Sequence, residues 1–444
     1  MSLNAEAVAV QDRSPILAGG RLDDLRSLSD VCGEVFWSLA RADQRRWAEV
    51  YVRGLLSVPG RKSIRRICDQ VVGYPAEQSL QQFLSQSPWD EKEVRRNLAH
   101  LVTASVRPRA IAFREIAFPK HGSNSVAVTR QYAPSLGRML NGQLGIAAFL
   151  ATDAGAYPVN WKLVMPRCWD EDLKRRTAAG VPDSERHQPW WCYVLEALDE
   201  LIERWGMPPA PVLVDARHER RLEPLLRGLE ARRVHYAVQV SADCPVRPAR
   251  GNHAGGATYG AAYNGPAYPG PGYSGPGYSG PGYSGPTRPS PERPMTVADL
   301  ASTVPAGNRT VLGWSGPGRG GCSAFALTPL VSLPALPSGQ QVRVIAPGSA
   351  RGCVRHLMAE WPLGQPRPTA LWITNLRRAR VPNLVGLVKL GAQVDHDVQR
   401  LSEESGLQHF EGRSFRGWHH HVTLVSAAHT YRLLREFEAE RSRA

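Results

Sequence analysis

The sequence predicts an α/β protein: helical at both ends, with a strand-rich middle. Three observations predict it. Between about Leu22 and Val102 apolar residues recur at three and four, as in Trp47-Val50-Tyr51-Leu55 and Leu80-Phe83-Leu84, which is the helical period. Short apolar runs bounded by turn residues then take over, at Ile111-Ala112-Phe113, Gln143 to Thr152 and Pro211 to Val214. From Val381 the helical spacing returns, with Leu384, Leu387, Val388, Val394 and Val398 on one face.

Composition narrows the class. A chain of 444 residues with 42% hydrophobic content has room for two or three domains with ordinary cores. No window approaches the roughly 18–20 apolar residues of a membrane helix, and the N-terminus lacks a basic stretch followed by an apolar one. The expectation is a cytoplasmic, nucleoid-associated protein with no membrane partner. Seven scattered cysteines without a CxxC pair suggest neither a zinc knuckle nor a disulfide framework. Lys and Arg outnumber Asp and Glu by 54 to 40, a net charge of +14, which favours a polyanion such as double-stranded DNA. A genome rich in Arg codons would produce the same balance.

Taken in order, residues 1–105 read as a helical, DNA-binding domain. Arg61, Lys62, Arg65 and Arg66 run into Ile67-Cys68-Val71, so a helix with a basic face is expected, able to track phosphates or to be simply solvated. Residues 106–246 form the first part of a core. Ile111 to Phe113 and Val126 to Val128, joined by the turn-forming His121-Gly122-Ser123-Asn124, read as a β-hairpin whose first strand ends on Arg114-Glu115. Strands follow at 143–152 and 156–164, then an amphipathic helix from Pro189 to Trp205. A strand stopping at Asp215, a helix near 219–231 and a strand at 236–240 complete this part. Three meandering strands followed by helix, strand, helix and strand is the order of the ribonuclease-H-like fold. That fold places the ends of its first and fourth strands side by side, so Arg114 and Asp215 should face one cleft.

Residues 247–293 are a Gly/Pro/Tyr/Ser-rich linker in which Tyr263, Tyr268, Tyr273, Tyr278 and Tyr283 recur every five positions. Such a composition buries too little apolar surface to fold, and a disordered insert is expected. Residues 294–380 read as a β-rich insertion, and 381–444 as C-terminal helices completing the core.

At Ser405 to Val422 the chain reads SGLQHFEGRSFRGWHHHV. This resembles the C-terminal signature of insertion-sequence transposases with a DDE superfamily endonuclease domain. There a Gly-Leu-Asp-His-Tyr-Glu element precedes Arg-Ser-Trp and a Trp-His-x-His helix start. Ser87-Pro88-Trp89-Asp90, Phe118-x-Lys120-x-Gly122, Arg130-Gln131-Tyr132 and Asn141-x-Gln143-x-Gly145 resemble further elements of that family, in the same order and in an actinobacterial style.

The resemblance implies two Mg²⁺ or Mn²⁺ ions held by three converging carboxylates, which activate the nucleophile and stabilise the leaving oxygen. Asp215 matches the second position, and Asp395, counted back from Gly406-Leu407, the third in place of Glu. The first departs: where the family reads Asp-Glu-Thr-Gly-Phe, this chain reads Arg114-Glu115-Ile116-Ala117-Phe118. A guanidinium there repels metal and is expected to pair with Asp215, while Glu115 points to the opposite face. Without the triad no cofactor is expected. Candidate DNA contacts are Arg61, Lys62, Arg65, Arg66, Lys120, Arg130, Arg377, Arg378, Arg413, Arg416, His419 and His421. Three readings stay open: a transposase-family DNA-binding protein with an eroded site, an active cut-and-paste transposase, and a repurposed enzyme or interaction protein. A homodimer is the assembly to test.

Overall fold

The computed structural model describes residues 27–246, 295–317, 319–330, 354–376 and 380–443. The tyrosine repeat lies outside these residues, as do Arg377 and Arg378.

Five helices come first: α1 (Leu28–Val35), α2 (Ala42–Ser57), α3 (Ile64–Ile67), α4 (Glu77–Ser85) and α5 (Glu91–Ser105). Their starts follow local chemistry. Ser27 and Asp30 form a capping box on α1, and Asp90 accepts from Lys92 N–H at the start of α5. Then come β1 (Ala110–Pro119), β2 (Thr129–Ala133), β3 (Arg138–Ala151) and β4 (Ala156–Val164). α6 (Arg167–Asp170), α7 (Leu173–Ala179) and α8 (Trp190–Asp199) lead to β5 (Val212–Asp215), α9 (Glu223–Ala231) and β6 (Tyr236–Gln239). After the undescribed stretch, α10 (Val297–Ser302) precedes β7 (Thr310–Gly316), β8 (Arg319–Leu330), β9 (Arg355–Pro362) and β10 (Ala370–Thr374). The chain closes with α11 (Val381–Glu403) and α12 (Phe415–Arg441).

The described strands join in one mixed sheet of ten, ordered β2-β3-β1-β5-β6-β10-β9-β8-β7, with β4 also on β3. β1, β3 and β4 form the antiparallel meander, and β5 and β6 add parallel to β1. This large mixed sheet is consistent with a ribonuclease-H-like core. The strands of 310–374 extend it, because β10 pairs antiparallel with β6.

The expected hairpin between 111–113 and 126–128 does not form. β1 runs on to Pro119 and pairs along its length with β3, from Ala110 opposite Ala151 to Pro119 opposite Gly142. That leaves no edge for Val126 to Val128, which turn through a left-handed Ala127 (φ 57°) and dock by Val126 N–H on the Arg413 carbonyl. The second strand of the region is β2, paired with the start of β3.

α12 is the hub. Every residue from Gly417 to Thr430 is buried, on all sides of the helix, which packs on α2, α4, α5 and β4. Several of its polar side chains are held by neighbours: Thr423 accepts from Arg95 Nε at 2.8 Å, and Ser426 from Trp161 Nε1 at 2.8 Å.

Candidate active site

Parallel pairing of β1 with β5 sets Ile111, Ala112 and Phe113 opposite Val212, Leu213 and Val214. Arg114 and Asp215 each follow the last of these pairs. Across them lies α11, whose Gly391 and Asp395 are one turn apart and share a face. Gly391 makes room: a Cβ there would lie 2.9 Å from Arg114 Nη2.

The Arg114 guanidinium, 9% exposed, fills this space. Its Nε donates to Asp395 Oδ1 at 2.7 Å, Nη2 to the Gly391 carbonyl at 3.1 Å and Nη1 to the Phe113 carbonyl at 3.0 Å. Asp215 belongs to another arginine. Arg217 forks onto it, with Nε to Oδ1 at 2.9 Å and Nη2 to Oδ2 at 2.6 Å. Burial raises the Asp215 pKa, but Arg217 and Arg114 outweigh it and hold the carboxyl below its ordinary value. The expected pairing of Arg114 with Asp215 is thus replaced: Arg114 bonds Asp395, and Arg217 bonds Asp215. Sequence reading overlooked Arg217, although the Asp-x-Arg spacing at a strand end allows that local fork.

Glu115 leaves the opposite face of β1 and is buried; desolvation, then the charge of Asp215, push its pKa up to about 8. It does not reach the Arg114 cluster.

These residues do not fit a pair of divalent ions. A guanidinium offers only N–H donors where a bridging carboxylate is needed, and both remaining carboxylates are engaged by arginine. Among the described residues, no group of three or more His, Cys, Asp and Glu side chains is placed to hold a metal.

The basic candidates divide by burial. Arg61, Arg65, Arg66, Arg130, Arg413 and Arg416 are exposed. Lys62, His419 and His421 are not, which removes them from a DNA-facing surface. Lys62 is 7% exposed and its Nζ donates to the Val58 carbonyl. His419 meets Arg95 Nη2 at 3.0 Å, and His421 lies between Tyr51 Oη at 2.9 Å and the Leu407 carbonyl at 3.0 Å. Lys120 is half-buried and donates to the Phe410 carbonyl at 2.5 Å; burial lowers its pKa to about 8. It pins the loop before α12.

Residues 34–274 match the sequence profile described as DDE superfamily endonuclease. The chain belongs to this DDE superfamily endonuclease family. It is also similar to a protein of Microchaete diplosiphon named as a probable transposase for insertion sequence element IS701, at 25% identity over 192 residues. That match covers 43% of this chain and 47% of the relative, so the chain spans about half the length of the curated relative it matches. DDE superfamily endonucleases generally use divalent metals.

Proposed function

We propose that this chain is a transposase-family, double-stranded-DNA-binding protein whose DDE site no longer assembles metal. The single observation carrying the reading is the 2.7 Å bond from Arg114 Nε to Asp395 Oδ1: a cation fills the first position and neutralises the third. The ribonuclease-H-like core would then serve as a scaffold for DNA. Exposed Arg61, Arg65, Arg66, Arg413 and Arg416 and the net charge of +14 supply the attraction to phosphates.

Fluorescence anisotropy with labelled duplexes, including the flanks of its own gene, tests the binding half. Binding should persist in EDTA and weaken roughly a thousandfold between about 50 and 200 mM salt. No binding to any duplex at low salt would sink it. Nicking of supercoiled plasmid tests the other half: the wild-type protein should leave plasmid intact with Mg²⁺ or Mn²⁺. Metal-dependent nicking abolished by Asp215→Ala would return the active transposase.

A further inference from the structure

β2 pairs with the first residues of β3, and over Arg138 to Asn141 no other described strand joins β3, since β1 reaches only to Gly142 and β4 only to Leu144. The result is a two-stranded ribbon closed by the turn Pro134–Leu136. Its two faces differ. Ala133 and Leu140 turn inward onto Ala117 and Leu144. The other face carries Arg130 opposite Asn141 and Tyr132 opposite Met139. Tyr132 is 53% exposed, Met139 52%, and Leu136, at the turn, 46%. Single exposed apolar side chains are ordinary, but three on one short ribbon form a patch of the kind that meets a partner.

Charge identifies the partner. Between Glu115 and Asp153 the sequence has no Asp or Glu, and the patch is flanked by Arg130 and Arg138, both exposed. Among the described residues neither arginine forms an ion pair. A second copy docking ribbon to ribbon would set these cations against their own duplicates, with no carboxylate in the segment to offset them. A polyanion meets no such penalty. Duplex DNA also supplies the apolar counterpart: its major groove, about 12 Å wide, admits a two-stranded ribbon and displays base edges and thymine methyl groups between two rows of phosphates.

We propose that the β2–β3 ribbon enters the major groove of duplex DNA, with Arg130 and Arg138 against phosphates and Tyr132, Leu136 and Met139 against the bases. The proposal rests on the reading of the chain as a DNA-binding protein, and adds a contact element distinct from Arg61, Arg65, Arg66, Arg413 and Arg416. Arginines on phosphates release counterions and so set the salt dependence, whereas apolar contacts add affinity without releasing ions.

The test titrates the full chain and two double variants into labelled duplex, followed by anisotropy across a salt series. Arg130→Ala with Arg138→Ala should lower the slope of log K against log salt by roughly 2. Tyr132→Ser with Met139→Ser should weaken binding roughly tenfold at every salt concentration and leave the slope as it is. All four side chains are exposed, so the melting temperatures should stay with the wild type. If the wild type binds no duplex, the DNA-binding reading itself fails and takes the ribbon with it. If the wild type binds and either double variant behaves like it, the ribbon contact is overturned while the reading stands. Light scattering covers the other occupant: self-association that the Tyr132 and Met139 changes abolish, with duplex affinity intact, makes the patch an interface between copies and refutes the proposal. Should a variant fail to fold, wild type photocrosslinked to duplex carrying 5-iodouracil decides, since the iodine projects into the major groove. Crosslinks at Tyr132 or Met139 support the ribbon; crosslinks only elsewhere refute it.

Discussion

Arg114 shows how one side chain organises the charges around it. Its guanidinium reaches Asp395 because α11 presents Gly391 beside it, and Asp215 is left to Arg217, two residues along its own chain. Asp395 is 60% exposed, so its bond to Arg114 is screened, and the arrangement matters more for which ions it admits than for stability. Changing Arg114→Asp would leave three carboxylates near one another with only Arg217 to offset them. The variant should melt below wild type in EDTA and recover with Mg²⁺, by about 2.7 kcal/mol at a hundredfold excess over Kd. Differential scanning of both proteins with and without Mg²⁺ checks this. An equal Mg²⁺ response in the two would mean that Arg114 does not control ion access.

At the scale of an element, α12 explains the run His419-His420-His421. Successive helical residues point about a third of a turn apart, so the three rings enter three different contacts rather than one ion. His419 turns to Arg95 on α5; His421 turns to Tyr51 on α2. His420 stacks on Trp89 at 3.6 Å, its ring nitrogens 2.9 and 3.1 Å from the Leu84 and Trp89 carbonyls. Burial pushes the pKa of His420 and His421 down to about 3, against backbone carbonyls that pull it up, and pushes His419 and His429 down as well. The unfolded chain takes up these protons near pH 6.5 while the fold refuses them. Stability is therefore full above about pH 6.5 and falls as pH drops toward 3, by up to about 1.4 kcal/mol per histidine per pH unit. Thermal melts from pH 8 to pH 5 should show this acid limb. His420→Phe keeps the stacking surface but loses the carbonyl contacts, so it should melt lower at pH 8 and show a shallower limb. An unchanged slope would refute the neutral buried ring.

At the scale of the molecule, the tyrosine repeat leaves and re-enters the described fold at one place. Pro245 bridges to Thr296, Val246 N–H donates to the Met295 carbonyl at 2.8 Å, and Val297 N–H to the Cys244 carbonyl at 2.9 Å. Chain ends already pinned together need little connector, and closure entropy changes slowly with length. Deleting Gly255 to Pro286 should shift the melting temperature by less than about 5 °C, equivalent to roughly 1–2 kcal/mol in a large domain. A larger drop in a calorimetric scan would show that the repeat contributes to the fold.

Much of the fold was legible in the sequence because it rests on local period. Alternation and apolar runs marked β3, β4, β5 and β6, three-four spacing marked α8 and α11, and the turn to family motifs at 405–422 located α12. The same motifs singled out Arg114, Asp215 and Asp395 as one neighbourhood, and Arg114 does touch Asp395. What depended on distant partners was not legible. β1 takes β3 rather than the nearer 126–128 because pairing ten consecutive residues outweighs closing a short turn. The polar run in α12 reads like a surface, yet it is buried because Arg95 and Tyr51 arrive from other helices, and Trp89 from the segment between α4 and α5, to meet it. Which arginine meets which carboxylate follows from the space Gly391 leaves on α11, and Glu115 meets His218 only because β1 and β5 are neighbours in the sheet. Periodicity records which face of an element is apolar; only packing decides what that face meets.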